Sequence, residues 1–249
     1  AISKRLDKNL KAPIIEITIW LNPKEIIPVS LKQRIHNKEA INIASGVPFG
    51  CTRDEMEAVL GQGTYDLVST DHQHGPENED QLVEFCAMAS EFDVGVQLRI
   101  KHTRNAYLIG NLLDLGPLAI VVPQVENVET VDEAIDFFYY PQMGKRSWGP
   151  SGAYGIKQGL DRLEYAEWWN NTGILILQIE SVDAVINVSK FAKPGVDMVT
   201  FGENDLNFSI ESYPSSPFQN LQECIAHVEA QLADTHVKVG AGSSPSGSL

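Results

Sequence analysis

From residue 41 onward the chain alternates short apolar runs with longer stretches of helical period. Seven runs stand out, at residues 41–47, 65–70, 95–100, 118–125, 174–179, 196–202 and 237–240. Most are apolar at successive positions rather than at every second one, so neither face is left wet. That is the pattern of parallel strands covered by helices. Between the runs, apolar residues recur at helical spacing: Leu82, Phe85, Cys86 and Ala89; Ile109, Leu112 and Leu113, with Thr103 as a candidate cap; Val128, Val131, Ile135 and Phe138; and Leu221, Cys224, Ile225, Val228 and Leu232. A repeat of strand then helix predicts an α/β fold, either a TIM barrel or a doubly wound sheet.

Polar residues choose between the two. Asp71 to His74, Arg99, Gln124, Gln178 with Glu180, and Asp205 all follow the apolar part of a strand. A barrel gathers every C-terminal strand end at one mouth, whereas an open sheet gathers only those at its switch point. No glycine-rich phosphate fingerprint follows any strand, which disfavours the nucleotide-binding version. The expectation is a TIM (β/α)8-type barrel over residues 31–249, preceded by an N-terminal extension at 1–30. Only seven strands are found and the sequence stops just after the seventh, so the barrel is expected to lack its last β/α unit within this chain. Residues 13–20, or a neighbouring subunit of a homo-oligomer, are expected to fill that gap. Residues 139–173 form a long connection rich in Gly, Pro and aromatics, read as a functional loop carrying local helix, and residues 243–249 read as a flexible end.

Composition narrows the partners. The chain has 249 residues, 43% hydrophobic and 21% charged, which excludes coiled-coil, collagenous and most disordered chains. A net charge of −14, with the basic residues scattered, makes nucleic acid and anionic membrane poor partners while leaving room for a small anion where a few Arg and His converge. No apolar run reaches the roughly 18 residues of a membrane helix. Cys51, Cys86 and Cys224 are odd in number with no metal-type spacing, and the N-terminus does not resemble a signal peptide, so the expected location is cytoplasmic.

The candidate chemistry sits at the strand ends. His72 and His74, two residues apart, could bind a metal or be surface histidines in a turn, and the following Gly75-Pro76 disturbs a strand-like pair. Glu180 closes one strand and Asp205 follows the next. Neighbouring strands lie about 5 Å apart, so the two carboxylates could share one cation, and two carboxylates with open positions suit Mg²⁺ or Mn²⁺. The alternatives are a salt bridge at the rim for Glu180 and a helix cap for Asp205. Arg99 inside a barrel requires a carboxylate or an anionic ligand. Asp114, near the end of a helical segment, reads by itself as an exposed carboxylate.

Taken in order, strand-Asp71-x-x-His74-x-Pro76, Arg99, Leu-Leu-Asp114-Leu-Gly116, Val-Pro123, Tyr140-Pro141-x-x-Gly144-x-Arg146, Gln178-Ile-Glu180 and Gly202-x-x-Asp205-Leu206 resemble the HpcH/HpaI family of metal-dependent pyruvate aldolases, within the citrate lyase β-subunit superfamily. The resemblance spans about residues 31 to 245. It implies a class II aldolase cleaving 4-hydroxy-2-oxo acids to pyruvate and an aldehyde, reversibly, with a small 2-oxo acid as substrate. Glu180 and Asp205 match the family's metal ligands, Arg99 the arginine on the keto oxygen, and His74 with Asp114 a dyad that orients proton transfer. Gln178 matches a polar residue beside the metal and Arg146 one that holds the far end of the substrate. The chemistry suits these types: cleavage beside a 2-oxo group leaves an enolate that a Lewis acid and an arginine stabilise, and no strand-end lysine is placed for a Schiff base.

The sequence departs from the family where Gly202, Glu203, Asn204 and Asp205 replace Gly-Pro-Ala-Asp, setting Glu203 and Asn204 beside the substrate, and where Arg146 is followed by Ser147 and Trp148 rather than Gly. Gln73 stands where Glu is common. Alternatives are a decarboxylase or a carbon–carbon bond-forming synthase using the same enolate, or a catalytically silent barrel serving as a binding module.

Overall fold

A computed structural model describes residues 29–47, 50–76, 78–149 and 159–240. The expected strand at 13–20, most of the N-terminal extension and the expected flexible end at 243–249 lie outside the described residues.

The seven strands are where the apolar runs place them: β1 (Ile43–Ala44), β2 (Leu67–Asp71), β3 (Gly95–Arg99), β4 (Ala119–Val122), β5 (Ile174–Ile179), β6 (Met198–Phe201) and β7 (Lys238–Val239). They form one parallel sheet in sequential order, β1 through β7, curled into a partial TIM-like barrel. The helices are α1 (Leu31–His36), α2 (Arg53–Leu60), α3 (Glu79–Ser90), α4 (Ile109–Leu113), α5 (Val128–Phe138), α6 (Arg162–Thr172), α7 (Val182–Asn187), α8 (Glu203–Ser212) and α9 (Leu221–Leu232). Most start on a side-chain cap that satisfies an otherwise orphaned N–H: Thr52 for α2, Asn78 for α3, Asn127 for α5, Asp161 for α6 and Ser181 for α7. Thr103 is not the cap expected of it. It opens a 3₁₀ turn, Thr103–Leu108, whose cap is His102, Nδ1 accepting from the Arg104 N–H.

Two apolar clusters divide the core, and the two-residue period of the strands decides which residue joins which. Val68, Val96, Leu98, Ile120, Val122, Leu175, Leu177 and Val199 face the helices. Leu67, Ala119, Val121, Ile174, Ile176 and Met198 face inward, where Ile35 of α1 packs onto them. Continuing the inward set toward the C-terminal strand ends gives Asp71, Arg99 and Gln178, so the inner face turns from apolar to polar along its length.

The opposite end is closed by α1. Lys32 is buried there and gives its ammonium to the Tyr139 hydroxyl and the Gly173 carbonyl, both at 2.8 Å, with Asp197 at 3.2 Å. His36 Nε2 lies 2.7 Å from the other Asp197 oxygen. These pairs occupy the far end, and the polar part of the inner face lies at the C-terminal strand ends.

Candidate active site

Asp71 and Arg99 end neighbouring strands and are paired in the register. Arg99 Nε donates to Asp71 Oδ1 at 2.8 Å, Nη2 donates to Asp71 Oδ2, and Nη1 reaches Gln178 Oε1 at 3.3 Å. The Gln73 N–H adds a bond to Asp71 Oδ1 at 2.9 Å. Burial alone would raise the Asp71 carboxyl, but the Arg99 guanidinium outweighs it, with help from the Gln73 N–H and the nearby His74, and the net shift is downward. A planar fork held on both oxygens leaves Arg99 fixed in direction. The position of Asp71 at the mouth is visible in the sequence, but its task of holding Arg99 is not.

Glu180 lies one residue beyond β5 and is only 5% exposed. Its Oε2 accepts the Gln124 N–H at 2.6 Å, while among the described residues Oε1 has no hydrogen-bond partner. Burial pushes its carboxyl up to about 7, opposed by the Gln124 N–H and by Arg99, and reinforced by the charges of Asp205 and Asp71. A Cβ placed on Gly202 would overlap the Glu180 carboxylate, so only glycine leaves room for it. Gly202 caps α8, whose first turn holds Glu203, Asn204 and Asp205, the last two exposed. Asp205 is therefore not the cap of this helix but an accessible carboxylate whose charge reaches Glu180.

The donor set fits a divalent cation of the hard, oxygen-seeking kind. It comprises a buried carboxylate oxygen without a hydrogen-bond partner among the described residues and an exposed carboxylate close enough for its charge to act on the first, with water and substrate oxygens as the further ligands such a cation takes. Among the described residues no group of three or more His, Cys, Asp or Glu side chains gathers to hold a metal. His72 and His74 are not a metal pair. His74 is exposed at the mouth, whereas His72 is buried and lines a separate cavity of about 460 Å³ with Asn78, Lys101, Asn105 and Leu112.

Two expected site residues belong to a different cluster. Asp114 closes α4 in the helix layer, before the chain turns back into β4, and its Oδ1 accepts from Arg146 Nη2 at 2.6 Å. The Arg146 side chain is fully buried, with the Tyr140 and Trp169 rings each 4.7 Å from its guanidinium carbon. Gly149 packs against the other Asp114 oxygen. Burial raises the Asp114 carboxyl, partly offset by Arg146. Among the described residues the hydrogen bond and ion pair of Asp114 go to Arg146 rather than to His74, Glu180 or Asp205, and Arg146 anchors part of the long β4–β5 connection. The sequence carried no signal for this arrangement, because the partners are 32 residues apart.

A parallel α/β partial barrel with carboxylates and a clamped arginine at its C-terminal strand ends places the candidate small-molecule site at the barrel mouth. The sequence profile of the HpcH/HpaI aldolase/citrate lyase family matches residues 50–240, and the chain belongs to that family. It is similar to the hydroxypyruvate/pyruvate aldolase of Roseobacter denitrificans, with 25% identity over 198 residues covering 77% of this chain and 76% of that protein. It is also similar to the 2-dehydro-3,6-dideoxy-6-sulfogluconate aldolase of Pseudomonas putida, with 29% identity over 195 residues, 76% of this chain and 70% of that protein. The crystal structure of an HpcH/HpaI aldolase from Desulfitobacterium hafniense DCB-2 shares the fold, with a TM-score of 0.73 at 21% identity over 88% of this chain and 83% of that one. No helix among the described residues is long and apolar enough to cross a membrane.

Proposed function

We propose that this protein is a divalent-metal-dependent aldolase that reversibly cleaves 4-hydroxy-2-oxo acids to pyruvate and an aldehyde, on a barrel of the (β/α)8 type. The observation that carries the reading is the Glu180 carboxylate, buried, tied down on one oxygen and, among the described residues, unpartnered on the other, within reach of the Asp205 and Arg99 charges. The family and the aldolase relatives support the reaction class.

Glu180 and Asp205 hold the cation, Mg²⁺ or Mn²⁺. When bound, it supplies Lewis-acid stabilisation of the negative charge that develops on the 2-oxo group as the carbon–carbon bond breaks. Arg99, already directed by Asp71 and Gln178, binds the same oxygen and adds a second positive contact without having to reorganise. His74, exposed at the mouth, holds the proton of the 4-hydroxyl group. Glu203 and Asn204, on the first turn of α8, line the side where the aldehyde part of the substrate lies. A homo-oligomeric assembly belongs to the same proposal and is read by light scattering.

The test is mass spectrometry of products from a panel of 4-hydroxy-2-oxo acids, with and without chelator. Pyruvate and a matching aldehyde, released only with divalent metal, are expected. Failure to cleave any of the panel with Mg²⁺ or Mn²⁺ present overturns the proposal.

A further inference from the structure

Gln124 has a backbone that its residue type does not favour. Its φ is 50°, in the left-handed region, where a side chain with a Cβ is uncommon and a β-branched one is strongly disfavoured. The residue follows Pro123 just beyond β4, and its side chain is exposed. On either side of it the chain is already committed: Val122 is paired with Leu177 of β5, and the Val125 N–H donates to the Gln178 carbonyl at 3.3 Å. Gln124 is thus the residue that absorbs the bend between two fixed points. Its N–H ends 2.6 Å from Glu180 Oε2.

Glu180 is confined on its other side as well. Its Oε1 lies against the Cα of Gly202, where a Cβ could not fit. The carboxylate is therefore held between a backbone donor and a glycine, with Oε2 occupied and Oε1 left without a hydrogen-bond partner among the described residues. A carboxylate free to turn could offer a cation either oxygen or both. This one offers a single, predetermined oxygen.

We propose that Gln124 is a positioning residue for metal binding: its left-handed backbone fixes Glu180 as a one-oxygen ligand, and Gly202 provides the space in which that oxygen stands. This rests on the reading of Glu180 and Asp205 as the cation site. What matters at position 124 is the backbone and not the glutamine amide, which separates the proposal from an ordinary side-chain contact. Partners that orient a metal ligand typically contribute about 10- to 100-fold to affinity, which sets the scale.

The experiment is Mn²⁺ titration of the metal-stripped full chain, followed by electron paramagnetic resonance, with circular dichroism and thermal melts on each metal-free variant. Gln124→Gly tolerates a positive φ and should bind within about twofold of wild type. Gln124→Val does not tolerate it and should bind about tenfold or more weakly, and Gly202→Ala should weaken binding by a similar factor by displacing Oε1. Equal affinity of the Gly and Val variants, whether both intact or both weakened, would overturn the backbone role. If Gln124→Val does not fold, replacing residue 124 by the α-hydroxy analogue of glutamine exchanges the N–H for an ester oxygen and keeps the side chain. An unchanged Mn²⁺ affinity in that protein refutes the proposal. Wild-type protein that binds no Mn²⁺ fails the cation site itself, whereas wild-type binding with every variant unchanged fails only the role of Gln124 and Gly202.

Discussion

Asp71 grips Arg99 across the β2–β3 boundary with both carboxylate oxygens, and the third arm of the guanidinium reaches Gln178 on β5. The arginine is thereby fixed in direction before any ligand arrives, with its charge acting on Glu180. Its positive charge is compensated by Asp71, so an unpaired charge is not left in the barrel.

If that clamp orients Arg99 for the 2-oxo group, Asp71→Asn should lower kcat/KM by about a hundredfold, since it leaves the charge of Arg99 in place but loosens its direction. Mn²⁺ affinity should stay within about threefold, because Asp71 is not a ligand in this reading. Steady-state kinetics beside Mn²⁺ titration checks the split. A variant that loses metal and activity together would make Asp71 part of the cation site.

Removal of divalent metal should abolish turnover, and added Mn²⁺ should restore it. Glu180→Gln and Asp205→Asn should each weaken Mn²⁺ binding by at least about tenfold. Full activity in chelator-treated protein, verified metal-free by elemental analysis, would contradict the class II mechanism.

Arg146 is buried with Asp114 as its ion-pair partner. Taking away the carboxylate leaves the guanidinium uncompensated among aromatic rings, a change that typically costs about 3–5 kcal/mol. Asp114→Ala should therefore lower stability by about that amount in urea unfolding, and adding Arg146→Met should recover part of the loss. A loss below about 1 kcal/mol would show that the pair does not hold this part of the β4–β5 connection.

Asp66 ties the start of β2 to α1 and to the chain entering β1, accepting from Arg34 and from the Asn42 N–H at 2.8 Å. Burial would raise its carboxyl, but the Arg34 and Asn42 bonds and the Arg34 charge outweigh it and the net shift is downward. A carboxyl lowered on folding contributes stability above its unfolded pKa of about 3.9, and that contribution is lost as pH falls through the folded value. Asp66→Asn should thus cost about 1 kcal/mol between pH 5 and 7, with the difference from wild type shrinking toward zero as pH drops below 3.9. Urea midpoints measured at pH 3, 5 and 7 check the sign; a gap that widens in acid would contradict it.

The sequence by itself determined the strands and the end of the barrel where the polar residues gather. Short continuous apolar runs alternating with helical stretches read as strands covered on both faces, and all seven form. The two-residue period places Ile174, Ile176 and Gln178 on one inward row, so the change from apolar to polar along β5 is legible in the order of residues alone. The positions of Gln178, Glu180 and Asp205 are legible in this way because each is defined by its distance from a strand end. Tertiary structure decided what that count does not contain. The bidentate hold of Asp71 on Arg99 needs the register of two strands, with partners 28 residues apart. The left-handed backbone of Gln124 is imposed by the fixed pairings on either side of it, against the preference of its own residue type. The pairing of Asp114, at the end of α4 in the helix layer, with the buried charge of Arg146 is likewise a product of packing. Local periodicity is written in the order of residues, whereas a buried charge takes whichever partner the packing of distant segments brings to it.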